Sequence, residues 1–224
     1  MTDPLQLQAL IDQGADAGPV LVLLHGRGSD ERDLLPLGRL LHADATTVSV
    51  RAPFAAAPWG YGPGFAWYQF LGGTTPEPES FVRGQDALAT LIAALPARLG
   101  RTNAPMILGG FSQGGTSSLA FMMRNPRWVH GVLVFSGFLA DHSSVAVTPE
   151  RVRDTPIFWG HGTADPAVPY AAAEAGWAEL RAAGAALEAR SYPGMSHTIS
   201  DAEMRDAGVW LTKVLQGGNK HGAS

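Results

Sequence analysis

Met106-Ile-Leu-Gly-Gly-Phe-Ser-Gln-Gly-Gly115 reads as a short apolar strand that runs into a glycine-flanked serine, and a helical pattern starts at Gln113. With 27 glycines in 224 residues, a Gly-x-Ser-x-Gly match decides little by itself. Its setting decides more. A tight strand-to-helix turn lifts the hydroxyl of Ser112 clear of the sheet, and Gly110 and Gly114 stand where a Cβ would collide with the folded-back backbone. The stretch therefore predicts a buried strand, a sharp turn carrying a candidate nucleophile, and a helix.

The same alternation extends in both directions. Apolar segments rich in β-branched residues recur at Pro19 to Leu24, Thr46 to Ala52, Met106 to Gly109, His130 to Phe135, Ile157 to His161 and Leu187 to Tyr192, and read as buried strands. Helical patterns lie between them at Glu31 to Ala43, Phe81 to Leu99, Gln113 to Arg124, Val168 to Ala183 and Ser200 to Leu215. Strand and helix in alternation require crossover connections, which put helices on both faces of a mostly parallel sheet. The expected fold class is α/β, a three-layer sandwich forming one domain over residues 1–215, with 216–224 as a Gly-rich polar tail. Residues 53–80 form an unusually long loop holding Phe54, Trp59, Tyr61, Phe65, Trp67, Tyr68 and Phe70 among many Gly and Pro. Loops of this length commonly cover or line a site.

Composition narrows the chemistry. Hydrophobic residues are 46% and charged residues 16%, enough apolar material for a packed core. The formal net charge of -4, with no cluster of Lys or Arg, makes nucleic acid an unsuitable partner. Cysteine is absent, which excludes disulfides, thiolate metal sites and a cysteine nucleophile. The first basic residue is Arg27, so the charged start of a secretory signal is missing, and no apolar run is long enough to span a bilayer. A cytoplasmic protein without stable membrane insertion is the expectation.

A serine hydroxyl needs an imidazole to take its proton, and the imidazole needs an acid to fix its tautomer. Parallel strands deliver such partners from their C-terminal ends to one edge of the sheet. Asp165 follows the strand ending at His161, and His197 follows the strand ending near Tyr192, giving the order Ser112, Asp165, His197. His161 is a rival imidazole and reads as a hydrogen-bonded structural residue; Asp141 is the alternative acid, one strand earlier. The tetrahedral intermediate also needs fixed N–H donors, each worth about 3 kcal/mol of barrier. The backbone N–H of Gln113, at a helix start, is one candidate. The backbone N–H of Arg27, in the turn Leu24-His25-Gly26-Arg27-Gly28, is the other.

Taken together, Leu24-His25-Gly26-x-Gly28, Gly110-Phe111-Ser112-Gln113-Gly114-Gly115, His161-Gly162-x-x-Asp165-x-x-Val168-Pro169 and Gly194-Met195-Ser196-His197 resemble, in order and over nearly the whole chain, the phospholipase/carboxylesterase branch of the α/β hydrolases. That branch includes acyl-protein thioesterases and small bacterial carboxylesterases. The resemblance implies an α/β-hydrolase fold without a separate lid domain, an acyl-serine route on small to medium carboxylic esters, and neither cofactor nor metal. Thioester or lysophospholipid substrates fit the same triad, and a homodimer is compatible with the branch. A catalytically silent binding protein of the same fold would be expected to lack a triad member, and none is lacking here. Two departures bear on substrate. Arg27 stands where thioesterase-like members often carry an aliphatic residue, and Trp67-Tyr68 is followed by Gln69 where Asp is common. Trp67, Tyr68 and the Arg27 guanidinium are the expected substrate contacts, with Arg27 at the pocket mouth favouring compact or anionic acyl esters.

Overall fold

The computed structural model describes residues 5–218. Its strands are β1 (Ala9–Asp12), β2 (Val20–Leu24), β3 (Thr46–Val50), β4 (Phe54–Ala55), β5 (Phe65–Ala66), β6 (Phe70–Gly72), β7 (Thr75–Pro76), β8 (Met106–Phe111), β9 (Gly131–Phe135), β10 (Ile157–Gly162) and β11 (Leu187–Tyr192). Its helices are α1 (Leu37–Leu41), α2 (Pro78–Arg98), α3 (Gln113–Arg124), α4 (Pro149–Val152), α5 (Tyr170–Ala182) and α6 (Asp201–Gly218). Seven strands form one sheet in the order β1-β3-β2-β8-β9-β10-β11. All of its pairings are parallel except that of β1, which runs antiparallel along β3.

This order places the reversal of strand order between β2 and β8, where Leu24 pairs with Gly110. The loops leaving those two strands therefore emerge side by side, at the position where open α/β sheets hold their ligands. Side-chain alternation sorts the strands' residues between two cores. Val20, Val22, Leu24, Leu108, Val132, Val134 and Trp159 pack with α2, α3 and α5, while Leu21, Ile107, Leu133 and Phe158 pack with Leu41, Trp210 and Leu211 of α1 and α6. The helix after the serine, α3, is buried from Gln113 to Met123, so the base of the site is rigid.

Three expectations are corrected. The helix expected from Glu31 to Ala43 shrinks to Leu37–Leu41. Asp30 Oδ1 accepts from Arg32 N–H at 2.8 Å, and Glu31 turns inward to a bidentate pair with Arg51, both contacts at 2.6 Å. Those bonds compete with the first helical turns. The hydrogen-bonding Arg51 guanidinium holds the Glu31 carboxyl down at about 2. The segment 53–80 is not an unstructured loop: it contains the ribbons β4–β5 and β6–β7, and α2 already starts at Pro78, with Glu77 capping the N–H groups of Glu79 and Ser80. Finally, α6 continues through Gly218, so the expected tail at 216–224 begins inside a helix; residues 219–224 lie outside the described residues. No helix among the described residues is long and apolar enough to cross a membrane.

One core residue carries a charge problem. Glu203, in the first turn of α6, is fully buried against the bare backbone of Gly160, and neither carboxylate oxygen has a hydrogen-bond partner. Burial pushes its carboxyl up to about 8. A folded-state value above the unfolded one means that the folded protein holds the extra proton between about 4.5 and 8. The contribution is complete below that window and is lost as pH rises through it. Glu203→Gln removes this titration, so its stability relative to the parent is expected to improve by ~3–4 kcal/mol as pH rises from 5 to 8. Urea denaturation at the two pH values measures this, and a difference that does not change with pH would contradict it.

Candidate active site

Ser112 joins β8 to α3 with φ 54° and ψ -118°, a left-handed conformation that a non-glycine residue adopts only when its surroundings impose it. Its N–H donates to Phe135 O at 2.8 Å, and its carbonyl accepts from Thr116 N–H at 3.0 Å. Neighbouring glycines permit the fold-back: a Cβ on Gly110 would press on the backbone of Gly114 and on Leu24 O, and one on Gly114 would overlap Leu24 O. The expected sharp turn thus has a physical cause in close backbone packing between β2, β8 and α3.

Ser112, His197 and Asp165 come together although they are far apart in sequence. His197 Nε2 lies 2.9 Å from Ser112 Oγ, and His197 Nδ1 lies 2.7 Å from Asp165 Oδ2. Asp165 can only accept when ionised, so Nδ1 carries the proton and Nε2 is left to accept from the serine hydroxyl. The other oxygen, Oδ1, accepts from the N–H groups of Ala167 at 2.8 Å and Val168 at 2.9 Å. Burial of Asp165 opposes its ionisation, but these backbone donors and His197 outweigh it and hold the carboxyl below the ordinary carboxylate value. The two loops are also stitched together, with Ala164 N–H donating to Met195 O at 3.1 Å.

The rivals occupy other places. His161 is fully buried; its Nε2 donates to Val168 O at 2.9 Å and stands 3.5 Å from Asp165 Oδ2, bracing the acid's loop from behind. Burial holds its imidazole below the usual value, and hence neutral. Asp141 is exposed, and its N–H is tied to Thr74 O at 2.9 Å, away from His197.

Arg27 and Gln113, the expected backbone donors, line the same cavity as Ser112. Gln113 is the first residue of α3, whose N–H has no partner within the helix, and the Arg27 N–H is engaged by no acceptor among the described residues. A network absent from the sequence reading holds both in place. His25 is buried and neutral; its Nδ1 donates to Gly26 O at 2.7 Å and its Nε2 accepts from Ala52 N–H at 3.0 Å. Trp67 Nε1 donates to His25 O at 2.9 Å, Trp67 N–H donates to Gln113 Oε1 at 2.8 Å, and Gln113 Nε2 donates to Tyr68 O at 2.8 Å. The aromatic segment is thereby fastened to both turns. A polar residue ending an all-apolar strand was the one sequence signal for His25.

A cavity of about 200 Å³ opens beside Ser112, walled by Phe70, Phe111, Phe138, Tyr68 and Val168, with Arg27 and His197 at its polar side. Phe111 supports the His197 ring at 4.7 Å between centroids. Of the residues expected to touch substrate, Tyr68 and Arg27 line this cavity. Trp67 does not line it; the indole is spent on the bracing just described.

With this geometry defined, comparison with known proteins gives a consistent answer. The phospholipase/carboxylesterase profile matches residues 6–215. The chain belongs to the phospholipase/carboxylesterase family. A probable carboxylesterase of Oryza sativa subsp. japonica is 42% identical over 109 residues, covering 48% of this chain and 41% of the relative. The chain thus spans less than half the length of plant carboxylesterases that it matches. Acyl-protein thioesterase 1 of Cryptococcus neoformans is 28% identical over 88% of this chain and 92% of its own. Among solved structures, esterase PE8 superposes with a TM-score of 0.78 at 26% identity, covering 93% of this chain and 99% of that one. The phospholipase/carboxylesterase fold thus extends over the whole span that carries the site.

Proposed function

We propose that this protein is a serine esterase that cleaves small to medium carboxylic esters through an acyl-Ser112 intermediate. The observation that carries this reading is the unbroken path from Ser112 Oγ through His197 to Asp165, with contacts of 2.9 and 2.7 Å, opening on the cavity. Ser112 Oγ forms a bond to the ester carbon while its proton passes to His197 Nε2. The carbonyl electron pair moves onto oxygen, where the N–H groups of Arg27 and Gln113 receive the charge. Collapse expels the alcohol, which takes the proton from His197. Water then repeats the sequence on the acyl-enzyme, giving up a proton to Nε2 and releasing the acid. Asp165 remains ionised and stabilises the imidazolium throughout.

The thioesterase relatives favour a second reading within the same mechanism, with a thiolate as leaving group. Cavity size argues for compact acyl groups: about 200 Å³ falls below the ~300–1,000 Å³ of pockets that enclose drug-sized ligands. Labelling with a fluorophosphonate, followed by peptide mapping, tests the assignment. One equivalent on the peptide containing Ser112 is expected, and a folded sample that takes no label would refute it.

The bracing through Trp67 gives a further expected result. Trp67→Phe keeps the ring but removes the donor to His25 O, loosening the turn that presents the Arg27 N–H. A fall in kcat of roughly fivefold with KM nearly unchanged is expected, corresponding to about 1 kcal/mol for one neutral hydrogen bond. A change confined to KM would argue that Trp67 touches substrate instead.

A further inference from the structure

Arg27 contributes more than a backbone N–H. Its side chain is exposed at the cavity edge, with its guanidinium 4.5 Å from the Tyr61 ring centroid and 5.7 Å from that of Phe70. No carboxylate among the described residues pairs with it. The nearest acids in sequence are already taken, Asp30 by Arg32 and Glu31 by Arg51. An arginine stacked on two rings is held in one region while its hydrogen-bonding edge stays available. The cavity walls include no acidic residue.

Tyr68 supplies an independent sign. It lines the same cavity at 1% exposure, and its hydroxyl has no hydrogen-bond partner. Thr116 Oγ1, which accepts from Phe138 N–H at 3.1 Å, is its polar neighbour, but no hydrogen bond of normal geometry joins it to the phenol. A buried unpaired O–H costs free energy unless a ligand satisfies it. A cavity with one free cation at its rim and one orphaned donor in its wall is built for an acceptor-rich, negatively charged group.

We propose that this site selects esters that carry a carboxylate a few bonds from the scissile carbonyl, with the carboxylate received by the Arg27 guanidinium and the Tyr68 hydroxyl. The inference rests on the esterase reading, and names its substrate class. A carboxylate on the acyl side and one on the alcohol side present the same chemistry, so both are tested. Monoethyl glutarate and 4-acetoxybutanoate serve as the two anionic probes, each compared with its neutral primary amide. Hydrolysis is followed by proton release, and binding of glutarate and of glutaramate is followed by calorimetry.

Because the Arg27 backbone also serves the reaction, the readout is the ratio of kcat/KM for acid over amide, in which changes to the shared chemistry cancel. At least one acid probe is expected to exceed its amide by roughly tenfold, as a charge-assisted hydrogen bond gives. Arg27→Gln should bring that ratio to about one, and Tyr68→Phe should lower it several-fold; which probe responds identifies the side that carries the carboxylate. Ratios near one in the parent protein, or a preference that survives Arg27→Gln, would overturn the proposal. Tight glutarate binding that Arg27→Gln abolishes, in a protein that hydrolyses none of the four esters, would uphold the anion site and overturn the esterase reading alone. Hydrolysis of the amides and acids alike, with no preference for glutarate over glutaramate in binding, would do the reverse.

Discussion

Ser112→Ala is expected to lower kcat on a p-nitrophenyl ester by about 10⁶-fold while leaving the fold intact. The hydroxyl makes one side-chain hydrogen bond, to His197 Nε2, so its loss costs the structure little. Alanine inherits the same left-handed backbone, and the bonds from Ser112 N–H to Phe135 O and from Thr116 N–H to Ser112 O do not involve the side chain. The thermal midpoint should therefore stay within a few degrees. A residual rate over the uncatalysed reaction is expected, because the proposed donors, the N–H groups of Arg27 and Gln113, would still polarise a bound carbonyl toward attack by water. Adding His197→Ala should cost almost nothing more, since a base without its nucleophile has no proton to take. Turnover within tenfold of the parent protein would refute the assignment of the nucleophile.

What the sequence reveals here follows the range of the forces involved. The five inner strands β2, β3, β8, β9 and β10 were legible because burial on both faces demands continuous apolar runs, and their boundaries shifted by only a residue or two; Leu187 to Tyr192, expected to be buried as well, is instead the half-exposed edge strand β11. Strand β1, Ala-Leu-Ile-Asp, was not: an edge strand of four residues with a polar end carries too little pattern. The helix expected from Glu31 failed for a tertiary reason, since the pull on Glu31 comes from Arg51, just past β3 and twenty residues away. Ser112, Asp165 and His197 were readable because topology alone sends the ends of β8, β10 and β11 to one edge. The role of Trp67 was not readable. Its aromatic bulk suggested a substrate contact, whereas its two N–H groups meet His25 O after β2 and Gln113 Oε1 at the start of α3, acceptors that only the folded chain brings near. The ribbons β4–β5 and β6–β7 are two or three residues per strand, below the length at which alternation can be recognised.

Asp165→Asn is expected to cost about 10⁴ in kcat, and the reason lies in which oxygen the backbone already claims. Oδ1 accepts from Ala167 N–H and Val168 N–H, so an asparagine must keep its carbonyl oxygen there. Its amide NH₂ then occupies the position of Oδ2, facing His197 Nδ1 at about the present 2.7 Å. Two donors cannot share that contact. His197 must surrender its Nδ1 proton and carry one on Nε2, which then points an N–H at Ser112 Oγ where a lone pair is required. The flipped amide would relieve this only by setting NH₂ against two backbone N–H groups. Asp165→Ala, which imposes no tautomer, is therefore expected to retain more activity than Asp165→Asn if its loop holds. Nitrogen-15 spectra of His197 check the cause directly: protonation at Nδ1 in the parent protein and at Nε2 in Asp165→Asn. A variant that keeps the Nδ1 proton, or that stays within tenfold of the parent kcat, would show that Asp165 does not set the tautomer.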